Sequence, residues 1–330
     1  MFSTAAVPSP DSRKVGPATC THGPAGTGSR ILLRGTVAEI AEWHCVGQDA
    51  HLSGVDELGD MCAVVVTRRG AFARESGGRR VLSHAGTATL WYPRDAYRIS
   101  HPVPGGDVCS VFRIPTSWFR ELVARYDPAA AEAPVPRGRA PDAMLAGRSY
   151  LLHRLAVASA RRSAVDGVGM LAAEEAAMAF LDAAVRQAYA RADDRPETHG
   201  SGAARVHPGR GAYYAESAVE LVARRFTERL TLRGIADEVG CSPYHLSRLV
   251  TAHTGVPIFR LVLRLRLQAA LERVLDTRDS LSTIALDAGF ASHSHFGDAF
   301  RREFGDAPGA IRRRAAAGHL SRTVSRLLAA

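Results

Sequence analysis

Apolar residues follow two rhythms along this chain, and the change of rhythm predicts its division. From about residue 31 to 115 they come in short runs: Ile31-Leu32-Leu33, Met61-Cys-Ala-Val-Val-Val66, Ala88-Thr-Leu-Trp-Tyr92 and Val108-Cys-Ser-Val-Phe112. Turn residues separate them, as in Gly77-Gly78, Pro93, Pro102 and Pro104-Gly-Gly-Asp107. Short β-branched runs bounded by turn signals read as strands, and several together as a β-sandwich or barrel. From about 140 the spacing becomes helical. Pro141 and Asp142 are expected to open a helix that continues through Tyr150-Leu-Leu-His-Arg-Leu155. A second helix is expected from Gly169 to about Ala192, with Leu171, Ala172, Glu175, Met178, Ala179 and Leu181 at helical spacing. These helices pack on the β domain or on another subunit.

Residues 193–211 lack apolar periodicity and read as a polar linker. Helices are then expected at about 213–226, 232–239, 243–253, 257–275, 281–288, 293–304 and 308–314. The expected layout is a disordered tail (1–30), a β-rich domain with helices (31–192), the linker, an all-α domain (212–314) and a C-terminal tail (315–330). At 330 residues and 46% apolar content, the chain has room for two packed cores.

The all-α part contains a repeat. Leu232, Ile235, Ala236 and Gly240 recur 49 positions later as Leu281, Ile284, Ala285 and Gly289. Leu246, Val250 and Gly255 recur 50 positions later as Phe296, Phe300 and Gly305, so one residue is inserted in the second turn. Leu, Ile and Ala at i, i+3 and i+4 make one apolar stripe on a short helix, and the following Gly suits a left-handed C-cap. Ser242 is placed to cap the next helix with Pro243 in its first turn, and Ser292 is placed to cap its counterpart. Each copy is thus a helix-turn-helix. With Leu246, Leu249 and Val250 inward, Tyr244, Ser247, Arg248 and Thr251 share the outer face that such a motif lays in a major groove. An ordinary helical bundle is the alternative for one copy; two in tandem argue against it. The helix from Pro257 to Leu275 would join them so that both reading helices meet one DNA face about a helical turn apart.

Charge follows the same division. The net charge is +9, and residues from 201 onward carry 19 Arg against 12 Asp or Glu, a balance of +7. A basic C-terminal third fits a polyanion. Arg supplies 41 of the 42 basic residues, a compositional bias that weakens the signal. Cys20, Cys45, Cys62, Cys109 and Cys241 show no CxxC pair or zinc spacing, which argues for free thiols in a reducing cytoplasm. No run approaches the roughly 20 apolar residues of a membrane span, and the N-terminus lacks signal-peptide order. The expected location is cytoplasmic, associated with the nucleoid.

With Gly255, Arg266-Leu267, Ala270, Phe304-Gly305 and Pro308 added to the repeat, residues 212 to about 314 resemble the DNA-binding domain of the AraC family of bacterial transcription regulators. The stretch from Pro93 to Asp107, with Tyr97, Arg98 and His101, resembles that family's cupin-like effector-binding domain. The resemblance implies a sequence-specific DNA-binding regulator, with double-stranded DNA, a small-molecule effector, RNA polymerase and a second copy of the chain as partners. It implies base reading by Tyr244, Ser247 and Arg248 in the first copy, and by His293, Ser294 and Asp298 in the second. Ser242, Thr251, Ser292, Arg301 and Arg302 are expected on the DNA backbone. Arg248 can make two hydrogen bonds to a guanine edge; Tyr244 can instead be a packing residue at the helix start. Gly297 and Asp298 depart from the pattern, so weaker readout is expected there. The effector site is left open. No catalytic residues, cofactor or metal are assigned, since His44, His51, His84 and His101 do not reproduce the ligand spacing of metal-binding cupins. Glu174-Glu175 is expected to be solvated. Two rival readings remain: a cupin-type metalloenzyme with an accessory DNA-binding domain, and an interaction adaptor that no longer binds DNA.

Overall fold

The structure is a computed structural model, describing residues 28–46, 51–53, 58–138, 140–166, 169–193 and 209–316. Cys20, nearly all of the expected N-terminal tail, most of the expected linker and the chain after 316 lie outside them. The N-terminal lobe contains β1 (Gly28–Arg34), β2 (Glu39–Cys45), β3 (His51–Ser53), β4 (Met61–Ser76), β5 (Arg79–His84), β6 (Thr87–Trp91), β7 (Tyr97–Ser100) and β8 (Asp107–Pro115). Helices α1 (Thr116–Ala124) and α2 (Pro128–Ala131), strand β9 (Asp142–Met144), and long helices α3 (Gly147–Asp166) and α4 (Met170–Asp193) follow. The C-terminal lobe is helical: α5 (Arg210–Arg225), α6 (Leu232–Val239), α7 (Pro243–Thr254), α8 (Ile258–Asp276), α9 (Leu281–Asp287), α10 (His293–Phe304) and α11 (Pro308–Ala316). None of the described helices is long and apolar enough to cross a membrane.

All pairings are antiparallel. One sheet runs β1-β2-β8-β4-β6-β9, and the far half of β4 pairs with β5 and β7, which carries β3. Strand β4 serves both layers because its register against β8 shifts between Thr67 and Arg69. That bulge reverses which residues face inward: Ala63 and Val65 line the interior before it, and Phe72 after it. On the opposite face, Ile40, Val64, Val66, Leu90, Phe112 and Ile114 pack under α3 and α4.

Three sequence expectations fail in this lobe. Asp142 does not open a helix; Asp142–Met144 pairs with Thr87–Thr89 as an edge strand, and the helix begins at Gly147. Pro141 leaves Asp142 free to be helical or extended, and the edge of β6 decides, because it supplies hydrogen bonds that a helix start would leave unmade. Strand β1 begins at Gly28, inside the stretch expected to be tail. Glu174 is not simply solvated either. Its Oε1 accepts from Thr36 N (2.5 Å), Thr36 Oγ1 (3.0 Å) and Val37 N (3.2 Å), tying α4 to the β1–β2 turn.

The two lobes share a core. A single buried cluster runs from Ile40 and Phe112 through Tyr150, Leu155 and Phe180 to Leu271, Ile284, Phe296, Phe300 and Ile311. A buried ionic network crosses the same seam. Arg68, at the β4 bulge, pairs with Glu42 of β2 and donates to Glu272 of α8 from Nε at 2.8 Å and Nη2 at 2.6 Å. Tyr150 Oη donates to Glu272 Oε1 at 2.9 Å. Arg154 and Arg161 of α3 reach Asp276 at 2.8 and 2.9 Å, and Arg161 also pairs with Glu42. Three arginines and three carboxylates hold β2, β4 and α3 against α8.

Candidate nucleic-acid interface

Thr231 Oγ1 accepts from Gly234 N at 3.1 Å and starts α6; Ser280 Oγ accepts from Thr283 N at 3.0 Å and starts α9. Each polar side chain satisfies one of the first free N–H groups of its helix. Both caps are legible as Thr or Ser just before the apolar stripe, but sequence reasoning passed over them. Ser242 and Ser292 cap α7 and α10, accepting from His245 N and His295 N at 3.3 and 3.2 Å. Gly240 and Gly289 take the left-handed conformation (φ +82° and +84°).

The repeat lies in the core. Ile235, Ala236, Leu246 and Val250 are buried, and so are Ile284, Ala285, Phe296 and Phe300. Leu232 is a departure: it is 38% exposed, while Leu281 is partly buried. Phe290 N donates to Ala285 O at 3.0 Å just as Cys241 N donates to Ala236 O at 3.0 Å, so the inserted residue of the second turn is Ala291, between Phe290 and the Ser292 cap, and the Phe290 ring packs on Phe296 at 5.3 Å. Arg266 ties the two motifs together. Its guanidinium donates to the carbonyls of Phe226 (2.6 Å), Glu228 (2.6 Å) and Gly289 (2.7 Å), so this arginine is committed to structure.

The outer faces carry the expected residues. Tyr244 is 75% exposed, and Arg248 is exposed with its guanidinium 5.8 Å from the Tyr244 ring. Ser247 and Thr251 are half-buried on the same helix, and Thr251 Oγ1 donates to Ser247 O at 2.8 Å. On α10, His293, Ser294, Asp298, Arg301 and Arg302 are exposed, with Ser292 at its start. Asp298 lies 3.7 Å from Arg301, and Arg302 Nε donates to Asp298 O at 3.3 Å. Asp298 thus faces solvent beside a cation, so its charge is only partly offset. The inner side of α10 meets the N-terminal lobe at Glu303, whose carboxylate lies 3.6 Å from Arg264 of α8 and whose backbone passes so close to Gly147 that a Cβ there would sit 2.3 Å from its carbonyl oxygen. The helical lobe therefore rests on the sheet lobe by its inner faces while the two outer faces point away.

Comparison with known proteins bears on the same segment. Residues 235–314 match the helix-turn-helix domain family. Over 87 residues the chain is 40% identical to the HTH-type transcriptional activator RhaS of Escherichia fergusonii, a match covering 26% of this chain and 31% of RhaS. The C-terminal region is an AraC-type helix-turn-helix domain. A second relative of this AraC-type domain is AdaA of Bacillus subtilis, a bifunctional transcriptional activator/DNA repair enzyme, 28% identical over 99 residues, or 30% of this chain and 47% of AdaA. The chain spans under half the length of either relative. Among solved structures, a transcriptional regulator with an AraC-type DNA-binding domain from Chromobacterium violaceum is 32% identical over 31% of this chain and 92% of its own, with a TM-score of 0.30.

Proposed function

We propose that the chain is a cytoplasmic, sequence-specific DNA-binding transcription regulator whose N-terminal lobe, a cupin-like sandwich, takes a small effector. One observation carries the reading: two capped helix-turn-helix units, joined by α8, turn Tyr244, Arg248, His293, Ser294 and Asp298 to solvent on the helices that would enter the groove. In this reading Tyr244, Ser247 and Arg248 contact bases, with His293, Ser294 and Asp298 reading more weakly. Ser242, Thr251, Ser292, Arg301 and Arg302 contact phosphates. A cavity of about 180 Å³ between the lobes supports the effector role. It is lined by Arg79, His84, Asp142 and Met144 from the sheet lobe and by Val219 and His253 from α5 and α7. A small polar molecule there touches the first helix-turn-helix directly. Dimerisation through α4, which exposes Met170, Leu171 and Met178, belongs to the same proposal.

The test is a binding comparison on the full chain. A duplex selected by the protein from a random pool, and a scrambled duplex, are titrated over a range of salt. Affinity for both falls steeply with salt, because phosphate contacts release counterions. Arg248→Ala lowers affinity for the selected duplex by about 10- to 100-fold and leaves the scrambled one little changed. Arg302→Ala weakens both alike. Equal losses on both duplexes for Arg248→Ala remove it as a reader, and absence of salt-dependent binding by the intact protein removes the regulator reading.

A further inference from the structure

We infer that the N-terminal lobe holds a zinc-class divalent metal site formed by Cys45, His101 and Asp107. One ligand atom from each of the three lies within 4.8 Å of the other two. A tetrahedral ion with bonds of about 2.0–2.3 Å needs donors roughly 3.3–3.8 Å apart. The present His101 Nε2 to Asp107 Oδ1 separation of 2.7 Å opens by well under an ångström, roughly, to meet that spacing.

The backbone brings the three donors together. Cys45 and Asp107 are paired residues at the adjoining ends of β2 and β8. His101 follows β7, in the other sheet layer, so the cluster spans the two layers at one end of the sandwich. The strands approach closely there because position 106 is glycine. A Cβ on Gly106 (φ +71°) would sit 1.7 Å from the Cys45 carbonyl oxygen, and a Cβ on Gly70 would sit 2.0 Å from the Gly106 carbonyl oxygen. His101 and Asp107 are 6% and 8% exposed, and Cys45 is half-buried and provides a path from solvent.

The arrangement converges on a point. In a thiol–imidazole–carboxylate relay the carboxylate and the thiol lie on opposite sides of the ring, whereas here sulfur and carboxylate are neighbours. A thiolate, an imidazole and a carboxylate form the mixed donor set that zinc and cobalt(II) accept and that the harder calcium and magnesium ions do not. Cys109, two residues beyond Asp107 on the same face of β8, donates from Sγ to Asp107 Oδ2 at 3.0 Å and so orients the ligating carboxylate. Three protein donors leave a fourth position for water or a small ligand. The spacing in sequence, 45, 101 and 107, matches no familiar motif, which is why the sequence alone assigned no metal.

The site is independent of whether the chain binds DNA, and so is its test. The full-length protein, reduced and stripped with a chelator, is titrated with cobalt(II). One equivalent per chain binds, with a thiolate-to-cobalt charge-transfer band in the near ultraviolet and intense visible bands of a four-coordinate ion, and zinc(II) displaces it. Cys45→Ser abolishes the charge-transfer band; Cys241→Ser, in the helical lobe, leaves it unchanged. Cys109→Ser keeps the band and weakens binding by about 10- to 100-fold, as expected of a group acting through Asp107. His101 and Asp107 are buried, so their variants carry no weight unless circular dichroism shows them folded. A zinc-dependent rise in melting temperature, present in the native protein and lost in Cys45→Ser, provides a second readout. No cobalt band from folded native protein, or a band that survives Cys45→Ser, overturns the inference.

Discussion

His153 is fully buried between the rings of Phe112, Tyr150 and Phe180, with centroids at 5.8, 5.2 and 5.4 Å, and neither ring nitrogen makes a well-formed hydrogen bond. Burial, reinforced by the positive charges of Arg154, Arg68 and Arg161, holds its pKa well below the ordinary 6.5. The folded state therefore keeps the ring neutral, while the unfolded chain takes up a proton below about pH 6.5. The stability tied to this neutral ring is complete above that pH and declines as pH falls beneath it. His153→Leu removes an unpaired polar group from the core and is expected to gain about 1 kcal/mol at pH 7.5. The gain grows by up to about 1.4 kcal/mol per pH unit of acidification toward pH 5.5. Urea midpoints at the two pH values measure this, and a gain that does not change with pH defeats the account. The contrast with Arg248 is instructive. A histidine in a run of apolar residues gave no sign of its burial, whereas Arg248 announced its exposure by sharing a helical face with Tyr244 and Ser247, opposite Leu246 and Val250.

Among elements, the turns of the two motifs look alike in sequence and differ in cost. Gly240 and Gly289 share a left-handed backbone, but the space around them differs. A Cβ on Gly240 meets nothing within 4 Å, while one on Gly289 sits 2.5 Å from Thr227 O and 3.0 Å from Arg266 Cζ. Gly240→Ala is expected to cost only the backbone penalty of about 1–2 kcal/mol. Gly289→Ala adds a clash with a carbonyl oxygen and disturbs the arginine that clamps both motifs, so a loss about twice as large is expected. Equal shifts in denaturant midpoint for the two variants speak against the packing explanation. The helices from α5 to α11 were legible within one to three residues at nearly every end, since caps, stripes and glycines agree and the second copy repeats the first. The sheet lobe was less open. Glu39–Cys45 was missed because its charged Glu42 faces a buried partner rather than water, so the alternation that marks a strand is blurred. Strand β5 was missed because its run is short and basic.

At the scale of the molecule, the decisive feature is that α8 belongs to both lobes. Its apolar residues enter the shared core, and its Glu272, 2% exposed, lies between Arg68 and Arg154. No linear pattern points to this, because the partners lie 115 to 208 positions apart in the chain. Buried ion pairs of this kind add little over an apolar packing, yet removing one partner strands the others, at about 3–5 kcal/mol. Glu272→Gln keeps the shape and deletes the charge, leaving Arg68 and Arg154 to share Glu42 and Asp276. Calorimetry of the intact protein is expected to show a single transition, because one core unites the lobes, and Glu272→Gln is expected to lower its midpoint and to split it as the seam opens first. The remaining carboxylates set the acid limit. Burial works against the charge of Glu42 and Asp276, but the surrounding arginines prevail and hold both below their ordinary values of 4.5 and 3.8. Their contribution is whole above those values and is lost as pH drops through the lower folded ones. A Glu272→Gln protein should therefore give way at a higher pH than the native chain, having less of the network to lose. A variant that melts in one step at the native midpoint means that the apolar core, and not the charges, fixes the lobes together.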